Sequence, residues 1–132
     1  MSGLTGKRIL VLEDEVLLAL DAAETLEELG VVVIGPVHRV EAALALLDHE
    51  RPDAALLDVN INGSTSAEVA RRLAAENIPF VLATGYGDQS GISGQVTVID
   101  KPYNRTQLRA AFLQIFGDAG RDPALLEIAP QG

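Results

Sequence analysis

The sequence predicts an α/β fold in which a five-stranded parallel sheet carries helices on both faces. Short apolar segments alternate along the chain with segments whose apolar residues recur every three to four positions. Polar side chains directly follow several of the apolar segments, which is typical of parallel strands that end at a ligand-binding edge. The 132 residues, of which 48% are hydrophobic, can bury one core but are too few for two domains.

The first strand and the first helix are predicted close to the N-terminus. Residues 8–12 are apolar after the first position, and the segment ends at consecutive acidic residues. Beyond these acids, apolar side chains at helical spacing predict a helix that ends at Gly30. The expected core face of this helix consists of Val16, Leu20, Ala23 and Leu26.

The second strand and the second helix follow at once. Residues 31–34 are all β-branched, as is favoured in strands, and the Gly35-Pro36 pair is expected to close this strand. The second helix is predicted from apolar residues at helical spacing, namely Val40, Ala43, Leu44 and Leu47.

The third strand is the most apolar. Residues 54–57 form a short uninterrupted apolar run, which is typical of a strand buried on both faces, and Asp58 follows it. Thr65 and Glu68 have the spacing of a capping box and predict a third helix that continues through Leu73.

The fourth and fifth strands are predicted at residues 80–83 and 96–99, but the segment between them does not support a helix. Residues 88–95 contain one apolar residue, two glycines and two serines. Neither helix propensity nor hydrophobic pattern favours a helix there, so the fourth helix is expected to be short or disordered.

The last predicted helix opens with Asn104 and Gln107 at capping-box spacing. Its apolar positions follow the helical repeat, and Gly117 is expected to end it. We therefore predict one domain over residues 1–117 and a short C-terminal tail over residues 118–132, too short for an output domain.

Composition excludes several classes of function. A net charge of −9 opposes nucleic-acid binding, because phosphate contacts need a basic surface, and a protein partner is expected instead. The absence of cysteine excludes disulfides and thiolate metal sites. No apolar run approaches the ~20 residues that span a bilayer, and no signal peptide is visible, so we expect no membrane association and a cytoplasmic location.

Polar residues at four strand ends carry the functional prediction. These residues are Glu13, Asp14, Asp58, Thr84 and Lys101. In the flavodoxin-like strand order 2-1-3-4-5 these ends are neighbours, so three carboxylates would repel one another unless a cation lay among them. Carboxylate oxygens without histidine or cysteine suit Mg²⁺, and a lysine can neutralise a transferred phosphoryl group. Local roles remain open for four of these residues: a helix cap for Asp14, turns for Asp58 and Thr84, and a solvated charge for Lys101.

Four motifs resemble the receiver domain of two-component response regulators over about residues 7–117. They are Leu-Val-Leu-Glu-Asp-Glu at 10–15, Leu-Leu-Asp-Val-Asn at 56–60, Ala-Thr-Gly at 83–85 and Asp-Lys-Pro at 100–102. The resemblance implies that Asp58 is the phosphoacceptor, that Asp14 binds Mg²⁺ directly, and that Glu13 binds it through water or lies near it. It also implies that the main-chain carbonyl of Asn60 faces the metal, that Thr84 and Lys101 contact the phosphoryl group, and that the Lys101-Pro102 bond is cis.

The same resemblance implies a single-domain response regulator. It would take a phosphoryl group from a phosphohistidine on a sensor histidine kinase or phosphotransfer protein, and signal by contact with a downstream protein or act as a phosphate shuttle or sink. Such a domain is not a dedicated enzyme, although it catalyses its own Mg²⁺-dependent phosphorylation and dephosphorylation. A receiver-like binding module that works without phosphorylation is the alternative. A related phosphatase is disfavoured, since Asn60 stands where its second aspartate would be needed.

Two positions depart from the usual receiver pattern. Val98 stands where receivers usually carry Tyr or Phe on the fifth strand. Residues 80–87 resemble a subgroup of single-domain receivers with a Phe-Ala-Thr-Gly-like motif that ends in an aromatic residue, a subgroup associated with a poorly formed fourth helix. We therefore predict that Tyr86 takes over the role of the aromatic switch that Val98 cannot perform.

Overall fold

The computed structural model describes residues 3–61, 64–85 and 97–120 and contains a five-stranded parallel sheet. The strands of this sheet are β1 (Arg8–Leu12), β2 (Val32–Val37), β3 (Ala54–Asp58), β6 (Phe80–Thr84) and β7 (Thr97–Asp100). Strands β4 (Asn60–Ile61) and β5 (Ser64–Thr65) form a separate two-stranded hairpin. The helices are α1 (Val16–Glu28), α2 (Val40–Leu47), α3 (Ala67–Ala75) and α4 (Arg105–Gly120). The sheet order is β2-β1-β3-β6-β7, so the predicted flavodoxin-like order is confirmed.

Apolar side chains on the two faces of the sheet form two cores. All five residues of β3 are buried, because helices cover both faces of this central strand. Alternate residues of each strand point to opposite faces, so Val11 and Leu56 pack with α1 and α4, whereas Leu12 and Leu57 pack with α2 and α3. This double coverage leaves the ends of the strands as the accessible part of the sheet.

The buried face of α1 differs from the predicted one. The buried residues of this helix are Ala19, Ala22, Ala23 and Leu26. Val16 and Leu20, expected in the core, are 53% and 49% exposed, so that part of the prediction is wrong. Three alanines let the helix lie close to the sheet, and helical periodicity then turns the larger side chains of its first turns toward solvent.

The end of β2 also differs from the prediction, because the strand continues through Gly35-Pro36 to Val37. Leu10 pairs with Ile34 and Leu12 pairs with Val37, so β2 has one extra residue in a β-bulge. Gly35 has a φ of +99°, and a Cβ there would lie 2.8 Å from the backbone nitrogen of Val37. The bulge therefore requires glycine at this position.

The start of α3 does not follow the predicted capping box. Thr65 belongs to β5, where it pairs with Asn60 in a short antiparallel hairpin. The helix begins at Ala67, and its N-terminal capping position is Ser66. The hairpin displaces the helix start by one residue, and the Thr65 hydroxyl accepts a hydrogen bond from the Ala67 N–H at 3.3 Å.

The capping box of α4 is confirmed, but its predicted end is wrong. The Asn104 N–H donates to Gln107 Oε1, and the Gln107 N–H donates to Asn104 Oδ1, both at 2.8 Å. The helix continues past Gly117 to Gly120. Glycine inside a helix costs only about 1 kcal/mol, which does not by itself end a helix.

Some predictions concern parts of the chain outside the described residues. Segment 88–95, where a short or disordered fourth helix was expected, is one of them, and so are Tyr86 and the tail from residue 121 onward. The predicted domain boundary after residue 117 stays a prediction. Among the described helices, none combines the length and apolar character needed to cross a membrane.

Candidate functional site

The candidate site lies at the edge of the sheet where β1, β3, β6 and β7 end. The strand registers place Leu12 beside Leu57, Asp58 beside Ala83, and Thr84 beside Asp100. The polar residues at these ends therefore lie side by side, as parallel pairing predicts. Glu13, Asp58 and Thr84 are 3%, 6% and 2% exposed, which is unusual for such polar groups outside a functional or structural network.

Three carboxylates converge at this edge. One oxygen each from Glu13, Asp14 and Asp58 forms a set whose members all lie within 4.8 Å of one another. Like charges at this separation repel strongly where burial lowers the dielectric constant. These oxygen donors suit Mg²⁺, which binds carboxylates and water, and the residues present therefore fit this ion.

Lys101 contacts two of the three carboxylates. Its Nζ lies 2.9 Å from Glu13 Oε1 and 3.1 Å from Asp58 Oδ1, and its side chain is only 18% exposed. The Lys101 N–H donates to the Thr84 carbonyl oxygen at 2.8 Å, which anchors the lysine backbone to the end of β6. Burial lowers the pKa of Lys101, but the hydrogen bonds and charges of Glu13 and Asp58 outweigh burial, so its pKa is raised. The Lys101-Pro102 bond is cis, as the resemblance implied.

The carboxyl of Asp58 is difficult to ionise. Burial is the main cause, and the hydrogen bond and negative charge of Glu13 add to it, so that the pKa of Asp58 is raised from 3.8 to about 7. Lys101 opposes this shift only in part. A second cation beside Asp58 would favour its ionised form, which is the nucleophilic form of a carboxylate.

Glu13 is held at both its side chain and its backbone. Its Oε1 accepts from Lys101, and its Oε2 accepts the N–H of Glu15 at 3.1 Å. The Glu13 N–H donates to the Val37 carbonyl oxygen at 3.0 Å, and its own carbonyl oxygen lies 2.9 Å from His38 Nδ1. His38 is a neighbour of the site that no sequence pattern indicated, because its contact depends on the bulge in β2.

A cavity of about 390 Å³ opens beside the carboxylates. It is lined by Asp14, Glu15, Asp58, Asn60, Gly85 and Lys101. Asn60 is exposed at the start of the hairpin that follows β3. Among the described residues, no atom outside the neighbours of Gly85 in the chain lies within 4 Å of where its Cβ would be. The structure thus brings together the predicted Glu13, Asp14, Asp58, Asn60, Thr84 and Lys101, while their individual roles stay predictions.

A second cavity, of about 290 Å³, lies between α1 and the segment after β7. It is lined by Glu15, Leu18, Asp21, Lys101, Pro102 and Tyr103. Burial, followed by the charge of Glu13, raises the pKa of Tyr103 to about 12, so the phenol stays neutral. Tyr103 is a further side chain near the site that the sequence did not indicate, because its position depends on how α4 docks against α1.

The predicted switch positions are not both described. Val98 pairs with Leu82 and is half-buried against the core under α2 and α3. Tyr86 lies outside the described residues, so its role as a switch stays a prediction.

The strand order and the acidic edge define a flavodoxin-like α/β domain with a polar site at the carboxyl ends of its strands. The response regulator receiver domain family matches residues 9–113, and the chain belongs to this family. It is 27% identical over 108 residues to the transcriptional regulatory protein PdtaR of Mycobacterium tuberculosis, covering 77% of this chain and 53% of PdtaR. The chain thus spans about half the length of PdtaR.

Two solved structures illustrate the likeness in three dimensions. SdrG from Sphingomonas melonis Fr1 is 38% identical with a TM-score of 0.72, over 88% of this chain and 99% of SdrG. The receiver domain of the sensor histidine kinase PA1611 from Pseudomonas aeruginosa is 22% identical with a TM-score of 0.76, over 86% of this chain and 99% of that domain. That structure has a magnesium ion coordinated in its active site cleft.

Proposed function

We propose that this receiver domain accepts a phosphoryl group on Asp58 from a phosphohistidine of a histidine kinase or phosphotransfer protein. The observation that carries the proposal is the buried Asp58 carboxyl among two other acids, with the Lys101 ammonium 3.1 Å from its Oδ1. A purely structural ion pair would not need a third carboxylate within 4.8 Å. A phosphoryl-transfer site does need such a set, because it must hold a cation and a nucleophile together.

Glu13, Asp14, Asp58 and the main-chain carbonyl of Asn60 are the groups that would hold Mg²⁺. When bound, the ion supplies positive charge against the carboxylate and the transferring phosphoryl oxygens. The magnesium ion in the receiver domain of PA1611 supports this assignment by analogy of fold. The roles of the individual ligands are part of our proposal.

In the transfer step, an oxygen of the ionised Asp58 carboxylate attacks phosphorus. The P–O bond to Asp58 forms while the P–N bond to the donor imidazole breaks, and the imidazole leaves with the electron pair and takes up a proton from water. Lys101 neutralises charge on the phosphoryl oxygens, and the Thr84 hydroxyl donates a hydrogen bond to one of them. In dephosphorylation, water attacks phosphorus, the P–O bond to the Asp58 oxygen breaks, and the Asp58 carboxylate and inorganic phosphate are the products.

The first turns of α1 offer the docking surface for the phosphodonor. Four apolar side chains there are exposed by 40–81%: Val16, Leu17, Leu18 and Leu20. Such clusters on a protein surface mark interfaces, and this cluster borders the cavity between α1 and Tyr103, beside Lys101. The acidic residues Glu15 and Asp21 line the same cavity, so the partner should carry basic side chains around an apolar centre.

The downstream signal is proposed to pass by protein contact rather than by nucleic-acid binding. The net charge of −9 disfavours contact with phosphate backbones. A shuttle or sink of phosphoryl groups between other proteins would use the same Asp58 chemistry.

Mass spectrometry after incubation with acetyl phosphate tests the proposal. We expect one added phosphoryl group that requires Mg²⁺ and is absent in Asp58→Asn. Asp48→Asn is the matched control, because Asp48 is an exposed acid paired with Arg72 on α3, and it should behave as the wild type. Phosphate on another residue, or phosphorylation that chelator does not affect, would contradict the assignment.

A further inference from the structure

The end of β2 holds the backbone of Glu13 from both sides. The extra residue of the bulge brings Val37 opposite Leu12, and its carbonyl oxygen accepts the Glu13 N–H at 3.0 Å. The chain then turns so that the half-buried imidazole of His38 reaches the carbonyl oxygen of Glu13 at 2.9 Å. Both peptide groups that flank the Cα of Glu13 are thus attached to the end of β2.

The hydrogen bond between His38 and the Glu13 carbonyl oxygen determines which ring nitrogen of His38 carries a proton. A carbonyl oxygen can only accept, so Nδ1 of His38 must carry the proton. Neutral imidazole with its proton on Nδ1 and the imidazolium ion both satisfy this requirement. The contact therefore does not depend on a change in the charge of His38.

The Glu13 carbonyl belongs to the peptide group that joins Glu13 to Asp14. Because a peptide group is planar, a hydrogen bond to its oxygen restrains the orientation of the whole group, including the backbone of Asp14. Asp14 is one of the three carboxylates that lie within 4.8 Å of one another. A restraint on this peptide group therefore limits where the Asp14 carboxylate can lie relative to Asp58.

We propose that His38 is a positioning residue for the metal site: its Nδ1–H holds the Glu13–Asp14 peptide group and so preorganises two of the carboxylates for Mg²⁺. This inference rests on the proposed function, because it assumes that these carboxylates bind the ion. Hydrogen bonds that orient metal ligands commonly affect affinity, since an unrestrained ligand must be ordered when the ion binds.

The first test is Mg²⁺ affinity measured by isothermal titration calorimetry without any phosphodonor. We expect the Kd for Mg²⁺ to rise by about three- to tenfold in His38→Ala and His38→Leu, both of which lack a donor. His38→Asn should bind Mg²⁺ nearly as the wild type does, because its amide can donate from a position similar to Nδ1. His49→Ala is the matched control, since His49 is exposed at the end of α2.

A second test separates positioning from general damage to the fold. With acetyl phosphate as donor, the variants without a donor should need more Mg²⁺ for half-maximal phosphorylation, yet reach about the wild-type rate at saturating Mg²⁺. A purely structural role would lower the melting temperature but leave the Kd for Mg²⁺ unchanged.

A third test needs no substitution. Long-range proton–nitrogen correlation spectra of the wild type should show the proton of neutral His38 on Nδ1. The opposite tautomer would overturn the proposal, as would equal Mg²⁺ affinity in the wild type and the folded variants without a donor. Failure of the wild type itself to bind Mg²⁺ would instead count against the proposed function.

Discussion

Asp58 combines two opposing properties, deep burial and a negative charge beside other acids. Its carboxyl is 6% exposed, and burial together with Glu13 raises its pKa to about 7. In the proposed phosphoryl transfer the carboxylate form is the reactive one, and a bound cation would hold Asp58 ionised at neutral pH. Reactivity and stability therefore make opposite demands on this residue.

A pH dependence of stability follows for protein prepared without divalent cations. The folded pKa of Asp58 is about 7 and the ordinary value is 3.8, so between these values the folded state binds the extra proton. The stability contributed by Asp58 is thus fully present below pH 3.8 and is lost as pH rises through about 7. We expect urea unfolding to show that Asp58→Asn is more stable than the wild type at pH 8 by about 1 to 3 kcal/mol.

The same difference should shrink as pH falls below 7 and approach zero only near pH 3.8, where Asp58 is protonated in both the folded and the unfolded wild type. Asp48→Asn provides the comparison, because it removes an exposed acid outside the site. Identical pH dependence in the wild type and Asp58→Asn would mean that Asp58 is not the group that titrates.

The two faces of helix α1 differ in the size and burial of their apolar side chains. Small side chains face the sheet, and larger ones such as Leu17 and Leu20 face solvent at 81% and 49% exposure. Exposed leucine contributes little to folding, since little of its surface is removed from water. The proposed contact with a phosphodonor would give these exposed leucines a function next to the carboxylates.

Leu17→Gln tests this contact because it removes an exposed apolar side chain and keeps good helix propensity. For a histidine kinase that phosphorylates the wild type, we expect the transfer rate at limiting kinase to fall about fivefold or more. Phosphorylation by acetyl phosphate should stay within about twofold of the wild type, because that small donor needs no docking surface. Radiolabelled transfer assays measure both rates.

Val32→Thr is the control for that experiment. Val32 is 52% exposed but lies at the start of β2, at the opposite edge of the sheet from the carboxylates. Equal slowing of kinase transfer by both substitutions would indicate that exposed apolar surface in general, rather than α1, is involved.

Charged side chains of the domain converge at one edge of its sheet. The ends of β1, β3 and β7 supply three carboxylates and one ammonium group, so negative charge exceeds positive charge there when all of them are ionised. Binding to the folded state alone shifts the unfolding equilibrium by mass action, so a ligand of this site must also stabilise the fold.

We therefore expect Mg²⁺ to raise the melting temperature. At ten times its Kd the ion should add about 1.4 kcal/mol, or roughly 3 to 6 °C for a domain of this size. Thermal unfolding followed by circular dichroism measures the shift. Asp14→Asn should reduce it strongly, whereas Glu24→Gln, on the exposed part of α1, should keep it. A melting temperature that does not change when Mg²⁺ is added would show that the three acids do not form a cation site.

Local patterns in the chain were enough to predict the parallel sheet and the acids at its edge, whereas the strand order came from the flavodoxin-like fold class. A parallel sheet must bury both faces, so its strands are readable as apolar runs such as residues 54–57, and polar strand ends must then meet at one edge. The capping box of Asn104 and Gln107 was equally predictable, because both of its hydrogen bonds join residues three positions apart.

Features that depend on distant parts of the chain required the folded structure. The outward face of α1 depends on how closely Ala19 and Ala22 approach the sheet. Hydrophobic periodicity alone does not predict that distance. His38 contacts Glu13, 25 positions away in the chain, and the bulge at Gly35 pairs strands that are about equally distant. No local sequence pattern could therefore predict either feature. Periodicity and propensity report interactions within a few residues, whereas bulges, helix docking and side-chain contacts are decided when remote segments compete for the same space.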